Sequence, residues 1–133
     1  MKLIWVSLTL AVAACSTMGG MRTEPLHAGS TRRYSTDLQT AVAATRNALI
    51  GSALDIDDVE PVDDQTWMFL AKRNTSRWSH GELIRVIVQQ TGADVVTVRV
   101  LSKRRVAVEF TARSDWSDAV FAQLALDLQE VHR

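Results

Sequence analysis

Two alternating runs near the middle of the chain constrain its fold more than anything else in the sequence. In residues 82–90, Ile84, Val86 and Val88 fall on one face and Arg85 and Gln89 on the other. In residues 95–100, Val96, Val98 and Val100 face one way while Thr97 and Arg99 face the other. A period of two in β-branched residues is the signature of half-buried strands. The segment Thr91-Gly92-Ala93-Asp94 between them predicts an antiparallel hairpin closed by a four-residue loop. An isolated hairpin is marginal in water, so its valine face requires further strands and a cover.

The flanking sequence supplies both. Leu38, Ala41, Val42, Thr45 and Leu49 recur at three and four residues and predict a helix with a single apolar stripe. Ser35 or Thr36 is placed to cap it, Asp37 complements its first-turn dipole, and Gly51 is placed as its stop. Residues 54–57 alternate, and the nearby Asp58, Glu60 and Pro61 mark a short edge strand. Asp63-Asp64 reads as a turn into a strand at 66–72, in which Trp67, Phe69 and Ala71 alternate. Beyond the hairpin, Lys103-Arg104-Arg105 reads as a turn and Val106, Val108 and Phe110 as a last strand. A closing helix is expected from about Ser114, with Asp115 and Asp118 in its first turn and a stripe of Val120, Phe121, Leu124, Leu128 and Val131. This order predicts an α+β fold: a two-layer sandwich in which an antiparallel meander of four or five strands carries an N-terminal and a C-terminal helix on one face.

Charge and cysteine content narrow the function classes. Fifteen Lys plus Arg balance fifteen Asp plus Glu, so no global field points to nucleic acid as a partner. The single cysteine, Cys15, leaves no partner for an intrachain disulfide and no thiolate metal cluster.

Cys15 has a distinctive setting. Lys2 precedes an uncharged, largely apolar stretch from residue 3 to residue 14, the proportions of an export signal and too short to span a bilayer. The sequence Val12-Ala13-Ala14-Cys15 resembles the lipobox of bacterial lipoproteins, in which an aliphatic and two small residues precede the modified cysteine. That resemblance implies a signal peptide at 1–14, removed before Cys15, and acyl chains of the palmitate type on the new N-terminal cysteine. Multiple acyl chains together give a stable membrane anchor. Ser16, in place of an aspartate, implies sorting to the inner leaflet of the outer membrane, facing the periplasm. Residues 15–34, with Gly19, Gly20, Pro25 and Gly29, read as a flexible tether, and residues 35–133 as one globular domain. A helix, a strand meander and a second helix behind a lipobox are similar to small uncharacterised envelope lipoproteins, a likeness that carries no diagnostic motif.

The sequence holds no recognisable catalytic constellation. His27, His80 and His132 are scattered, each without a partner at ligand spacing, and no phosphate loop or nucleophile elbow is present. Asp55, Asp57, Asp58, Glu60, Asp63 and Asp64 cluster, but lack the spacing of a calcium loop and read as a charged strand edge. No cofactor, no metal and no enzymatic activity are expected. Lys72-Arg73-Asn74-Thr75-Ser76-Arg77-Trp78-Ser79-His80 is the most distinctive surface segment, because it mixes cations with an aromatic that has no periodic reason for burial. Arg73, Arg77 and Trp78, joined by Lys103, Arg104 and Arg105 if the two turns share an end of the sheet, form the candidate binding set. Trp78 folded back as a lid, with the charges only solubilising, is the competing reading. The expected function is that of a membrane-anchored envelope lipoprotein acting as a protein-interaction or assembly accessory. The alternative is a periplasmic binding module for an anionic glycan or lipid at the 73–78 loop.

Overall fold

The computed structural model describes residues 17–73, 81–104 and 116–132. The chain is α+β, with one fully antiparallel sheet and three helices among the described residues. The elements run α1 (Met18–Thr23), β1 (Ser30–Ser35), α2 (Leu38–Gly51), β2 (Asp55–Asp63), β3 (Thr66–Arg73), β4 (Glu82–Gly92), β5 (Val95–Arg104), α3 (Ser117–Asp127) and β6 (Gln129–Glu130). The six described strands lie in the order β2-β3-β4-β5-β1-β6.

The predicted hairpin is β4–β5, in the register Val86↔Val100 and Val88↔Val98. Its loop is tighter than expected. Thr91 and Gly92 remain in β4 behind a register shift, leaving Ala93-Asp94 as the turn, with Asp94 in the left-handed region at φ 48°. Phe69, Ala71, Ile84, Val86, Val88, Val96, Val98 and Val100 share one face of the sheet. On that face they meet Ala41, Ala44, Ala48 and Leu49 of α2 and Val120, Phe121 and Leu124 of α3. Burying each large apolar side chain contributes about 2 kcal/mol, so this layer is the main source of cohesion.

The N-terminal cap of α2 is Asp37, whose carboxylate accepts from the Thr40 N–H and hydroxyl. Those bonds hold its pKa below the usual carboxylate value. Gly51 is the last helical residue, not the stop beyond it. Ser52 closes the helix and Ala53 takes the positive φ of 58°. A Cβ at 51 would sit 2.6 Å from Oε1 of Gln123 on α3, the end of a flexible side chain that would have to shift.

β2 holds the sheet edge as expected, though it runs on through Pro61 to Asp63 and contains two register shifts. Pro61 is tolerated because an edge strand has one unpaired side. The closing helix spans Ser117–Asp127 with Trp116 at its cap. Val131 does not join its stripe. The chain extends at Leu128, β6 pairs with β1, and the Val131 N–H donates to the Arg33 carbonyl at 2.8 Å. The expected strand at Val106, Val108 and Phe110, and Ser114 and Asp115, lie outside the described residues.

The largest departure is the stretch read as a tether. Of residues 15–34, those from 17 onward are folded onto the domain: α1 packs on the sheet and β1 pairs along the full length of Val95–Val100. Tyr34 of β1 is 1% exposed, and burial pushes its phenol up to about 12. Arg32, one pair along on the same face, lays its guanidinium 4.6 Å from the centre of the Phe121 ring. The added β1 and β6 raise the strand number above the expected four or five. With α1 on the second face, helices cover both sides of the sheet rather than one.

Candidate functional site

The antiparallel register places the end of β3, the start of β4 and the end of β5 side by side. Arg73 is opposite Glu82, and Glu82 is opposite Arg104. Arg73, Lys103 and Arg104 therefore share an end of the sheet as expected, but they lie within β3 and β5 and not in turns. Arg77, Trp78, Arg105 and Cys15 lie outside the described residues, as does His80.

Arg73 and Lys103 have partners at this end. Glu82 is 0% exposed, and its Oε1 lies 3.5 Å from Nη1 of Arg73. Arg73 in turn sits over the Trp116 ring at 5.6 Å. Neither Glu82 oxygen accepts a hydrogen bond among the described residues, and the Arg73 guanidinium helps to offset its buried charge. Ser102, on the same face one pair further along, also has a buried hydroxyl without a hydrogen bond. Lys103, on the opposite face, forms an ion pair with Glu24. The Lys103 ammonium holds the Glu24 carboxyl below its usual value, first through the hydrogen bond and then through its charge.

Glu24 belongs to a second constellation that the sequence did not disclose. Residues 17–29 cross the sheet face opposite α2 and α3, with Met21 buried among Met68, Leu70, Leu83 and Ile87. Beneath them Arg85, itself 0% exposed, donates from Nη1 to the carbonyls of Met21 at 3.0 Å and Glu24 at 2.6 Å. Its Nη2 donates to the Pro25 carbonyl at 2.6 Å. Met21 lies in the last turn of α1 and Glu24 at its C-cap, where a cation is electrostatically favoured, while the Pro25 carbonyl also accepts from the Ala28 N–H at 3.0 Å. Burial lowers the Arg85 pKa, an effect partly opposed by Glu24. Arg22 adds a surface clasp to Asp58 at 2.8 Å and Glu60 at 2.5 Å. The segment is thus pinned by one methionine and three basic side chains. An arginine inside the apolar run Leu-Ile-Arg-Val-Ile-Val was the available signal, since an unpaired buried cation is costly and implies waiting acceptors.

The acidic residues do not gather into a metal centre among the described residues, where no group of three or more His, Cys, Asp or Glu could hold an ion. Asp58 and Glu60 are engaged by Arg22, and Asp57 lies 3.4 Å from Lys72. At the opposite end of the sheet a hollow of about 340 Å³ is lined by Gln65, Gln90, Thr91, Gly92 and Ala93, none of them charged. His27 and His132 are exposed.

No protein-family model matches the chain. No curated protein matches it.

Proposed function

We propose that the chain is a lipid-anchored protein of a bacterial cell envelope, held to the membrane through Cys15, whose α+β domain is a non-enzymatic protein-interaction or assembly accessory. The observation that carries this reading is the agreement between the lipobox-like Val12-Ala13-Ala14-Cys15 and a folded domain that begins at Met18. No helix among the described residues is long and apolar enough to cross a membrane, so the reading assigns attachment to acyl chains on Cys15. The outer membrane, with the domain in the periplasm, follows from Ser16 by the same resemblance.

The glycan- or lipid-binding alternative at the 73–78 loop loses ground for a physical reason. Arg73 is committed to Glu82 and Trp116, and Lys103 to Glu24. An anionic ligand would have to compete with carboxylates already in place.

Metabolic labelling with a fatty-acid probe tests the anchor: label on the wild type and none on Cys15→Ser is expected, and equal labelling of both would overturn it. In-cell cross-linking followed by affinity capture tests the role. A reproducible envelope protein partner is expected, whereas retention of polysaccharide or lipid alone would move the conclusion to the alternative.

A further inference from the structure

The face of the sheet that carries α1 differs from the face that carries α2 and α3. Its β2, β3 and β4 side is covered by residues 17–29. Among the described residues its β5 and β1 side is covered only in part: Leu101 packs against the Met21 cluster, Lys103 pairs with Glu24, and Thr97 is buried with its hydroxyl 2.8 Å from that of Thr91. There the register sets Thr31 opposite Arg99 and Arg33 opposite Thr97. Thr31, Arg33 and Ser35 are exposed, and Arg99 is half-buried, its Nη1 donating to Oε1 of Gln89 at 2.9 Å. Neither β1 (Ser-Thr-Arg-Arg-Tyr-Ser) nor β5 (Val-Val-Thr-Val-Arg-Val-Leu-Ser-Lys-Arg) contains a carboxylate. Of the acidic residues of this face, Asp55, Asp58 and Glu60 stand at the far edge on β2, where Arg22 clasps the last two, and Glu24 is paired with Lys103. The exposed part of this half is therefore a shallow sheet surface of Thr31, Arg33 and Ser35 beside a half-buried Arg99.

α1, at the start of the described residues, lies on this same face. Two residues, Ser16 and Thr17, separate Cys15 from the first residue of α1. Three Cα–Cα steps reach at most ~11 Å, far less than the ~60 Å available to a free tether of residues 16–34. An anchor on Cys15 cannot let the domain turn over while α1 stays pinned by Arg85 and Met21.

We infer that the open β1–β5 surface, centred on Arg33 and Arg99, lies against the anionic headgroups of the membrane that holds Cys15, so that α2 and α3 face away from the bilayer. The inference rests on the anchor reading above and adds an orientation to it. Phosphate oxygens of the leaflet satisfy the guanidinium of Arg33, and the exposed hydroxyls of Thr31 and Ser35 on the same strand suit the same groups. The helical side, with Arg46, Asn47 and Asp118 exposed, is left for the protein partner.

Arginine-specific footprinting with phenylglyoxal, read by mass spectrometry, tests this on the full chain. The protein is isolated with its native modification and reconstituted in vesicles of phosphatidylethanolamine and phosphatidylglycerol. Modification of Arg33 and Arg99 is expected to slow by about threefold or more against the detergent-solubilised protein. Arg46 should be unaffected, and protection should fall in high salt. Protection of Arg46 instead, or equal rates at all three, overturns the orientation. The mass of the isolated protein separately reports whether Cys15 is acylated. If it is not, the anchor reading fails. The orientation is then tested by coupling the chain to a maleimide lipid through Cys15, its sole thiol. Equal rates in that format would sink the surface proposal by itself.

Discussion

Arg85 on β4 donates to the backbone carbonyl of Glu24 at 2.6 Å, joining residues 61 positions apart. A fully buried guanidinium in mid-sheet thus finds its acceptors not in a carboxylate but in the end of a short helix from another part of the chain. The contact ties the N-terminal segment to the sheet, and the consequences can be tested one residue at a time.

Arg85→Met keeps much of the apolar stem and removes the donors. The carbonyls of Met21, Glu24 and Pro25 then return to water only if residues 17–29 lift away. Hydrogen bonds from a charged donor contribute about 1.5–3 kcal/mol each, though not additively, so a loss of roughly 3 kcal/mol in denaturant unfolding is expected. The distinguishing result is local: amide exchange in residues 17–29 should accelerate far more than in β3–β5. Uniform acceleration would show that Arg85 serves the sheet rather than the segment.

Gly29 stands where this segment enters β1. Its φ is +104°, and a Cβ added there would lie 2.3 Å from the Val100 carbonyl oxygen. Both the backbone conformation and the backbone contact exclude a side chain. Gly29→Ala should lower thermal stability by several degrees and loosen β1 from β5, whereas Gly19→Ala, on the exposed side of α1 with nothing nearer than 4.0 Å, should be neutral or mildly stabilising. A neutral Gly29→Ala would mean that β1 can shift along β5.

How much of this was legible beforehand follows from where each residue's neighbours lie in sequence. Ile84, Val86, Val88, Val96, Val98 and Val100 have their partners within one hairpin, and α2 shows its stripe in its own sequence, so both were readable. β1 was not, because only Tyr34 of its six residues is a large apolar side chain, and Arg32 covers the core by stacking on Phe121, an aromatic remote in sequence. α1 was hidden by its length and by Gly19 and Gly20, each costing about 1 kcal/mol of helix propensity. Its stability comes from Met21 and Arg85, a long-range effect that no local pattern reports. Of the candidate site, the basic residues were visible as a cluster, while Glu82 was not, since a lone glutamate at a strand start carries no sign that it will be buried beside Arg73.

That buried pair makes an asymmetric prediction. Arg73→Met removes a cation 3.5 Å from a fully buried carboxylate, and should destabilise by about 3 kcal/mol. Glu82→Gln leaves a half-buried arginine that still rests on Trp116, and should cost no more than about 1 kcal/mol. Adding Glu82→Gln to Arg73→Met should recover most of the loss. A double variant as unstable as Arg73→Met alone would assign the effect to the Arg73–Trp116 contact, not to the ion pair.

Tyr34 offers a spectroscopic test of the strand that the sequence concealed. It is the only tyrosine in the chain, so tyrosinate absorbance near 295 nm reports on this one phenol. In the fold its pKa is raised from 10.0 to about 12, chiefly by burial and secondarily by Glu130 on β6. A raised pKa means that the folded state favours the neutral phenol. Its contribution to stability is complete below pH 10 and declines as pH rises from there through 12. Tyrosinate should therefore appear near pH 12 in the native protein and near pH 10 in denaturant, with loss of near-ultraviolet dichroism accompanying the native transition. Glu130→Gln should move the native midpoint down by a fraction of a unit, because the smaller of the two causes is removed and burial remains. A native midpoint at 10 would place Tyr34 in water, and β1 with it away from the core.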